Sequence, residues 1–304
     1  MKKIIQIEHL KKSFGDIVAV DDISFDVHEG ELFAFLGING AGKSTTINIL
    51  CGLYPRDGGN VIVDGESIDD SDKYKHVLGV VYQDCCLDKN LSVLDNLVSR
   101  AALYGIHGDQ FKARLDELDE LLNIKPLLKK QLGKLSGGQR RKIDIARAIV
   151  HSPKILILDE PTTGLDPQTR QTVWTALSEL RRRNNMTILL TTHYMEETTS
   201  CDYVIILDSG KIVTEGTPIQ LKNKYTGDYI KLYNTSEETI QSLGKAYSAI
   251  PQGFKIQVKN TAEATSLILE YPSIFVDYEI EKGNMDDVFL NATGKNLQGE
   301  YGND

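Results

Sequence analysis

The stretch Gly37-Ile38-Asn39-Gly40-Ala41-Gly42-Lys43-Ser44 decides how this chain is read. It fits the pattern G-x-x-x-x-G-K-[ST], in which glycines let the backbone curl until several N–H groups face one anion. Just before it, Glu31-Leu32-Phe33-Ala34-Phe35-Leu36 is a nearly continuous apolar run of strand length, as in a strand buried on both faces. Just after it, Lys43 to Leu50 reads as a helix whose N-terminal end adds positive potential. Lys43 can reach the outer phosphates of a nucleotide, and the Ser44 hydroxyl can ligate Mg²⁺.

Working outward, the first 30 residues alternate like strands, with a turn at Gly15-Asp16. From about 91 to 151 the pattern is helical, opening on Ser92-Val93-Leu94-Asp95, which resembles a capping box. Ile155-Leu156-Ile157-Leu158 is a second buried strand, ending in Asp159-Glu160. Strand C-terminal ends form the ligand edge of a parallel sheet. Asp159 therefore suits Mg²⁺, and Glu160 suits general-base work on an attacking water. A helix over 167–183, a strand over 187–191 and a hairpin around Asp208-Ser209-Gly210 follow. The alternation argues a mostly parallel sheet with helices on its faces.

After about Tyr225 the composition changes. Residues 225–304 hold twelve acidic and six basic residues and no arginine. Strands are expected over 229–233, 254–258 and 274–280, with helices starting near Ser236, Thr261 and Asn284. This is a small α+β domain with a frayed tail from about Gly294. The whole chain has 34 basic and 43 acidic residues, a net charge of −9, which argues against a protein built to coat nucleic acid. With 304 residues, two domains are expected. No apolar run reaches the roughly 18 to 20 residues of a membrane span, and Gln6, Glu8 and His9 interrupt any signal-peptide core. The chain is therefore expected in the cytosol, with any membrane part supplied by a partner. The four cysteines lack zinc-finger spacing and read as reduced thiols, Cys85 and Cys86 as packing residues. Arg140, Arg141 and Lys142 read as a solvated basic helix face.

Leu135-Ser136-Gly137-Gly138-Gln139 makes the reading specific. With the phosphate loop and Asp159-Glu160, this pentapeptide resembles the signature of the ATP-binding cassette (ABC) family. Gly164-Leu165-Asp166 resembles its D-loop, and His193 its switch histidine. Gln83 lies where the family has its Q-loop glutamine. Phe14 stands where the family stacks an aromatic ring on adenine, more commonly a tyrosine. The likeness covers about Lys3 to Leu221. It implies a P-loop NTPase fold of class α/β: a RecA-like core, an antiparallel β subdomain and an α-helical subdomain at about 91–151. The cassette would span 1–224, with the accessory α+β domain at 225–304.

The resemblance implies ATP and Mg²⁺ as cofactors. Nucleotide contacts would come from Phe14, Gly37, Asn39, Gly40, Ala41, Gly42, Lys43, Ser44, Thr45, Ser136, Gly137, Gly138, Gln139 and Asp166. Ser44, Gln83 and Asp159 would serve the metal, and Glu160, His193 and Gln83 the hydrolysis. Ser136 would cap a helix aimed at the γ-phosphate held by a second subunit, so one chain is half of a homo- or heterodimer. Met285-Asp286-Asp287-Val288-Phe289 through Gly294 resembles the closing motif of daunorubicin-resistance type exporters, with Asp286 in place of the usual Glu. The implied function is an ATPase subunit of an ABC-2 type exporter of a drug, lipid, antibiotic or polysaccharide. It would work at the cytoplasmic face of the membrane through a permease, with no nucleic-acid partner. An importer ATPase, or a non-transport ABC ATPase acting on ribosomes or DNA, is the alternative.

Overall fold

The computed structural model describes residues 2–69 and 72–294. The chain forms two compact units, one of 1–194 with 201–212 and one of 195–200 with 213–304. The expected frayed tail lies outside the described residues.

In the first unit, β1 (Lys3–Phe14) and β2 (Ile17–His28) form a long antiparallel hairpin. Next come β3 (Leu32–Leu36), α1 (Lys43–Leu50), β4 (Gly58–Val63), β5 (Glu66–Ser67) and β6 (Leu78–Val81). The helical region follows as α2 (Val93–Ala102), α3 (Gly108–Leu122) and α4 (Gly137–Ile149). The unit continues with β7 (Ile155–Asp159), α5 (Pro167–Asn184) and β8 (Thr187–Thr192). The short α6 (Met195–Thr198) belongs to the second unit, and the chain returns to the first for β9 (Tyr203–Asp208). One sheet has the order β2-β1-β4-β5 and is antiparallel. In the other, β9-β3-β8-β7-β6 run parallel. The edge strand β10 (Lys211–Gly216) lies beside β9.

Every residue of β3, β7 and β8 is buried, so these strands are apolar without alternation, whereas β2 alternates through Ile23, Phe25 and Val27. Phe25, Phe33 and Phe35 pack ring against ring at centroid spacings of 5.0 to 5.6 Å, inside one core that also takes Ile47 from α1 and Ile157 from β7. This core fixes the C-terminal ends of β3 and β7 relative to each other, which is where the functional side chains stand. The helices begin where local chemistry starts them. Ser92 and Asp95 form a capping box on α2, Ser136 and Gln139 one on α4, and Asp166 followed by Pro167 opens α5.

The second unit contains α6, most of β10, α7 (Pro218–Tyr225), β11 (Asp228–Tyr233) and α8 (Glu237–Ser242). A hairpin of β12 (Tyr247–Ile250) and β13 (Gly253–Val258) leads to α9 (Thr261–Glu270), β14 (Tyr278–Lys282) and α10 (Met285–Thr293). Its sheet, β12-β13-β11-β14, is antiparallel. Two details differ from the sequence expectation. Strand β12 is absent from it, because Tyr247–Ile250 is only four residues long, buries none of them fully and pairs at an edge. The strand expected over 274–280 is shifted to β14, 278–282, since Phe275 turns inward to the helix–sheet core. The boundary drawn at 224 falls inside this unit, because α7 packs on α10.

Candidate functional site

The phosphate-loop sequence links β3 to α1 as the spacing requires. Gly42 caps α1 at φ +102°, and a Cβ there would lie 2.5 Å from the Ala19 carbonyl oxygen, so both conformation and space demand glycine. Asn39 and Gly40 are exposed at the tip of the loop; Gly37, Ala41 and Gly42 are buried; Ser44 and Thr45 are half-buried. Lys43 is 4% exposed, and its Nζ donates to the carbonyls of Gly37 (2.6 Å) and Ile38 (3.1 Å). Burial lowers its pKa, against the pull of Glu160 and Asp159. A buried ammonium whose hydrogen bonds go to carbonyls is well suited to an anion.

The acidic strand end lies against this loop. Ser44 Oγ donates to Asp159 Oδ1 at 3.1 Å, and Thr191 Oγ1 reaches the same oxygen at 2.5 Å. Glu160 is 8% exposed and has φ +45°, a left-handed conformation costing about 1–3 kcal/mol in a non-glycine residue. Its N–H donates to Thr191 Oγ1. Four groups converge on its carboxylate. Thr163 Oγ1 and Gln83 Nε2 donate to Oε2 at 3.1 and 3.3 Å, while His193 Nδ1 and Lys43 Nζ stand 3.5 and 4.0 Å from Oε1. The last two distances are long for hydrogen bonds. His193 first, then Lys43 and Thr163, hold the Glu160 carboxyl below its usual range in spite of burial.

The structure thus brings together Lys43, Ser44, Gln83, Asp159, Glu160 and His193, drawn from positions far apart in the chain. Other expected residues stand elsewhere. Phe14 is 44% exposed and meets Tyr54 edge-on at 5.5 Å between ring centroids, with Lys12 Nζ 5.2 Å from its ring. Ser136 and Gln139 bond each other in the α4 cap. Gly137 is exposed, and a Cβ on Gly138 would fall 2.1 Å from Thr169 Cγ2. Asp166 accepts from Thr169 N (2.9 Å) and Oγ1 (2.6 Å) as the cap of α5.

Two residues overturn the sequence expectation. Arg141 is not on a solvated face. It is 9% exposed, and its guanidinium donates to the carbonyls of Tyr82, Asp159, Glu160 and Pro161. A run of three basic residues conceals that one of them points inward; the signal available was its phase on α4, next to the buried Ile145 and Ala148. Cys86 is exposed, so it is not a packing residue, whereas Cys85 is half-buried beside Asp144.

A protein-family model described as ABC transporter matches residues 20–163. The Nod factor export ATP-binding protein I of Cupriavidus pinatubonensis is 34% identical over 302 residues, 97% of this chain and 92% of that protein. The chain belongs to the ABC transporter family. It is an ATP-binding and ATP-hydrolysing cassette subunit with a P-loop NTPase fold. The linearmycin resistance ATP-binding protein LnrL of Bacillus subtilis is 33% identical over 97% of this chain and 100% of its own length. Matches of that extent necessarily run through most of the C-terminal region. Among solved structures, CbiO1 of Clostridium perfringens, part of the ABC transporter complex CbiONQ, aligns with TM-score 0.68 and 30% identity over 73% of this chain and 91% of its own. The dimeric bacterial ABC transporter cassette MJ0796 aligns with TM-score 0.63 and 25% identity over 70% and 98%. Among the described residues no helix is long and apolar enough to cross a membrane.

Proposed function

We propose that this cassette powers an ABC-2 type exporter by closing on ATP as a head-to-tail dimer and reopening after hydrolysis. The observation that carries the reading is the convergence of Lys43, Gln83, Thr163 and His193 on the Glu160 carboxylate. In this reading the loop from Gly37 to Thr45 cradles the phosphates, and Lys43 exchanges its two carbonyl partners for phosphate oxygens. Phe14 stacks on adenine. The Glu160 carboxylate, ionised at neutral pH, accepts a proton from a water held between it, Gln83 and His193. The water oxygen forms a bond to the γ-phosphorus as the bond to the β–γ bridging oxygen breaks, leaving ADP and phosphate.

Mg²⁺ fits the donors present. The Ser44 hydroxyl and Asp159 carboxylate are hard oxygen ligands within 3.1 Å of each other, with the Gln83 amide on the neighbouring loop. Among the described residues no cluster of three or more His, Cys, Asp or Glu forms a cage, which agrees with an ion that takes its remaining ligands from water and phosphate. Such an ion would neutralise phosphate charge.

The single chain has one phosphate loop and one Ser136-Gly137-Gly138-Gln139 segment, exposed at Ser136 and Gly137, so the γ-phosphate partner of that segment is assigned to a second cassette, with Asp166 beside it. The first unit would act as the motor and residues 225–304 as the accessory domain, with α7 joined to the latter by its packing on α10. Export, through a separate membrane permease that keeps the cassette at the cytoplasmic face, is favoured by the likeness to a Nod factor export and a linearmycin resistance ATP-binding protein and by the segment 285–294. Glu160→Gln tests the core of the reading. It should bind ATP, accumulate as an ATP-bound dimer in size-exclusion chromatography, and lose turnover by a factor of about 10² or more. Near-normal hydrolysis would remove Glu160 from the base role.

A further inference from the structure

We propose that Arg141 is a positioning residue that sets the Glu160 carboxylate and the Gln83 amide from the signature helix; the proposal rests on the base role of Glu160. Arg141 lies in the second turn of α4, five residues after its cap Ser136. Its Nε donates to Pro161 O at 2.6 Å, Nη2 to Glu160 O at 2.8 Å and Asp159 O at 3.2 Å, and Nη1 to Tyr82 O at 2.7 Å. Three consecutive carbonyls on one planar cation lock the peptide planes on both sides of Glu160, the residue held at φ +45°. The fourth carbonyl immediately precedes Gln83, whose side chain bonds Glu160. One guanidinium therefore fixes both segments that meet at the carboxylate. A lysine offers no planar fork for that task.

The bracket is itself anchored. Asp144, 1% exposed and one turn further along α4, lies 3.8 Å from Arg141 Nη1 and accepts from Arg147 Nε at 3.0 Å. Arg147 Nη2 donates to Val80 O at 2.6 Å. Helix α4 is thus bolted to the ends of β6 and β7 by side chains and not by apolar packing alone. Because α4 begins with the segment assigned to the second subunit's nucleotide, displacement of α4 as the dimer closes reaches Glu160 through Arg141. Each subunit's carboxylate is then set by the nucleotide in the opposite site.

Arg141→Ala and the milder Arg141→Gln, made in the full chain, test this. ATP affinity and KM should stay within about threefold of wild type while kcat falls by about a hundredfold, the scale of general-base catalysis. In the Glu160→Gln background the same substitutions should remove no further residual turnover, because the group they position is already gone. Arg141→Gln keeps an amide donor in place and carries the measurement if Arg141→Ala does not fold. An equal proportional loss in both backgrounds would make Arg141 a packing residue and overturn the proposal, as would a kcat within threefold of wild type in Arg141→Gln. Normal turnover in Glu160→Gln alone would overturn the reading underneath, and the proposal with it.

Discussion

Phe289→Ala should loosen helices α6 and α7 before it loosens the small sheet. Phe289 is 1% exposed on α10, flanked by the buried Met285 and Val288. Helix α10 packs on α6 and α7, whose buried side chains include Met195, Thr198 and Leu221. It is also tied to the end of α7 by Asn291 Nδ2 donating to Tyr225 O at 2.8 Å. Phe289 is not part of the helix–sheet core of this unit, which contains Ile230, Leu232, Ile256, Leu267 and Phe275. Truncating a fully buried phenylalanine costs about 3–5 kcal/mol. At a factor of ten per ~1.4 kcal/mol, that raises the open population of the three-helix contact roughly a hundred- to several-thousand-fold. Amide hydrogen exchange read by mass spectrometry resolves this. Peptides over 195–200, 218–225 and 285–293 should exchange faster by that factor, and peptides over 228–258 should keep their protection. Phe275→Ala should give the reverse pattern. Unchanged protection of 195–200 in Phe289→Ala would refute the packing argument. The same contacts imply that a chain cut at Lys224 exposes α6 and α7, so a truncation that keeps the first unit intact must not strand them.

Two further expectations follow from local geometry. Gly138→Ala puts a Cβ 2.1 Å from Thr169 Cγ2 and should cut kcat/KM by at least about tenfold by displacing the start of α4, an overpacking cost of about 1–3 kcal/mol; Thr169→Ser in the same chain removes that methyl and should restore most of it. His151 stacks on Tyr104 at 3.9 Å, its Nε2 donates to Leu78 O, and burial lowers its pKa from 6.5 to about 4. A histidine kept neutral in the fold contributes stability that is present above its unfolded value and lost as pH falls from 6.5 toward about 4, some ~2 kcal/mol by pH 5. Urea midpoints of wild type should therefore fall more steeply over that window than those of His151→Gln, and parallel slopes would refute the assignment.

Local chemistry was legible before any fold was known. The phosphate loop, the caps at Ser92, Ser136 and Asp166, and the apolar strands Leu32–Leu36 and Ile155–Asp159 each follow from a few adjacent residues whose backbone preferences and burial period act over one turn or one strand. What stayed hidden depends on residues far apart along the chain. Arg141 reads as one of three surface cations until β6 and β7 bring the carbonyls 82 and 159–161 to it. Gly138 is one glycine of two until Thr169 closes over it. The left-handed backbone of Glu160 follows from no propensity, since it is held by Thr191 and Arg141 from other elements. The boundary near 212 was invisible for the same reason: α6 leaves the first unit only because α10, some ninety residues later, packs on it. Short-range preferences choose the elements and mark the loop, whereas long-range packing and hydrogen bonds decide which carboxylate is braced, in which conformation, and by which cation.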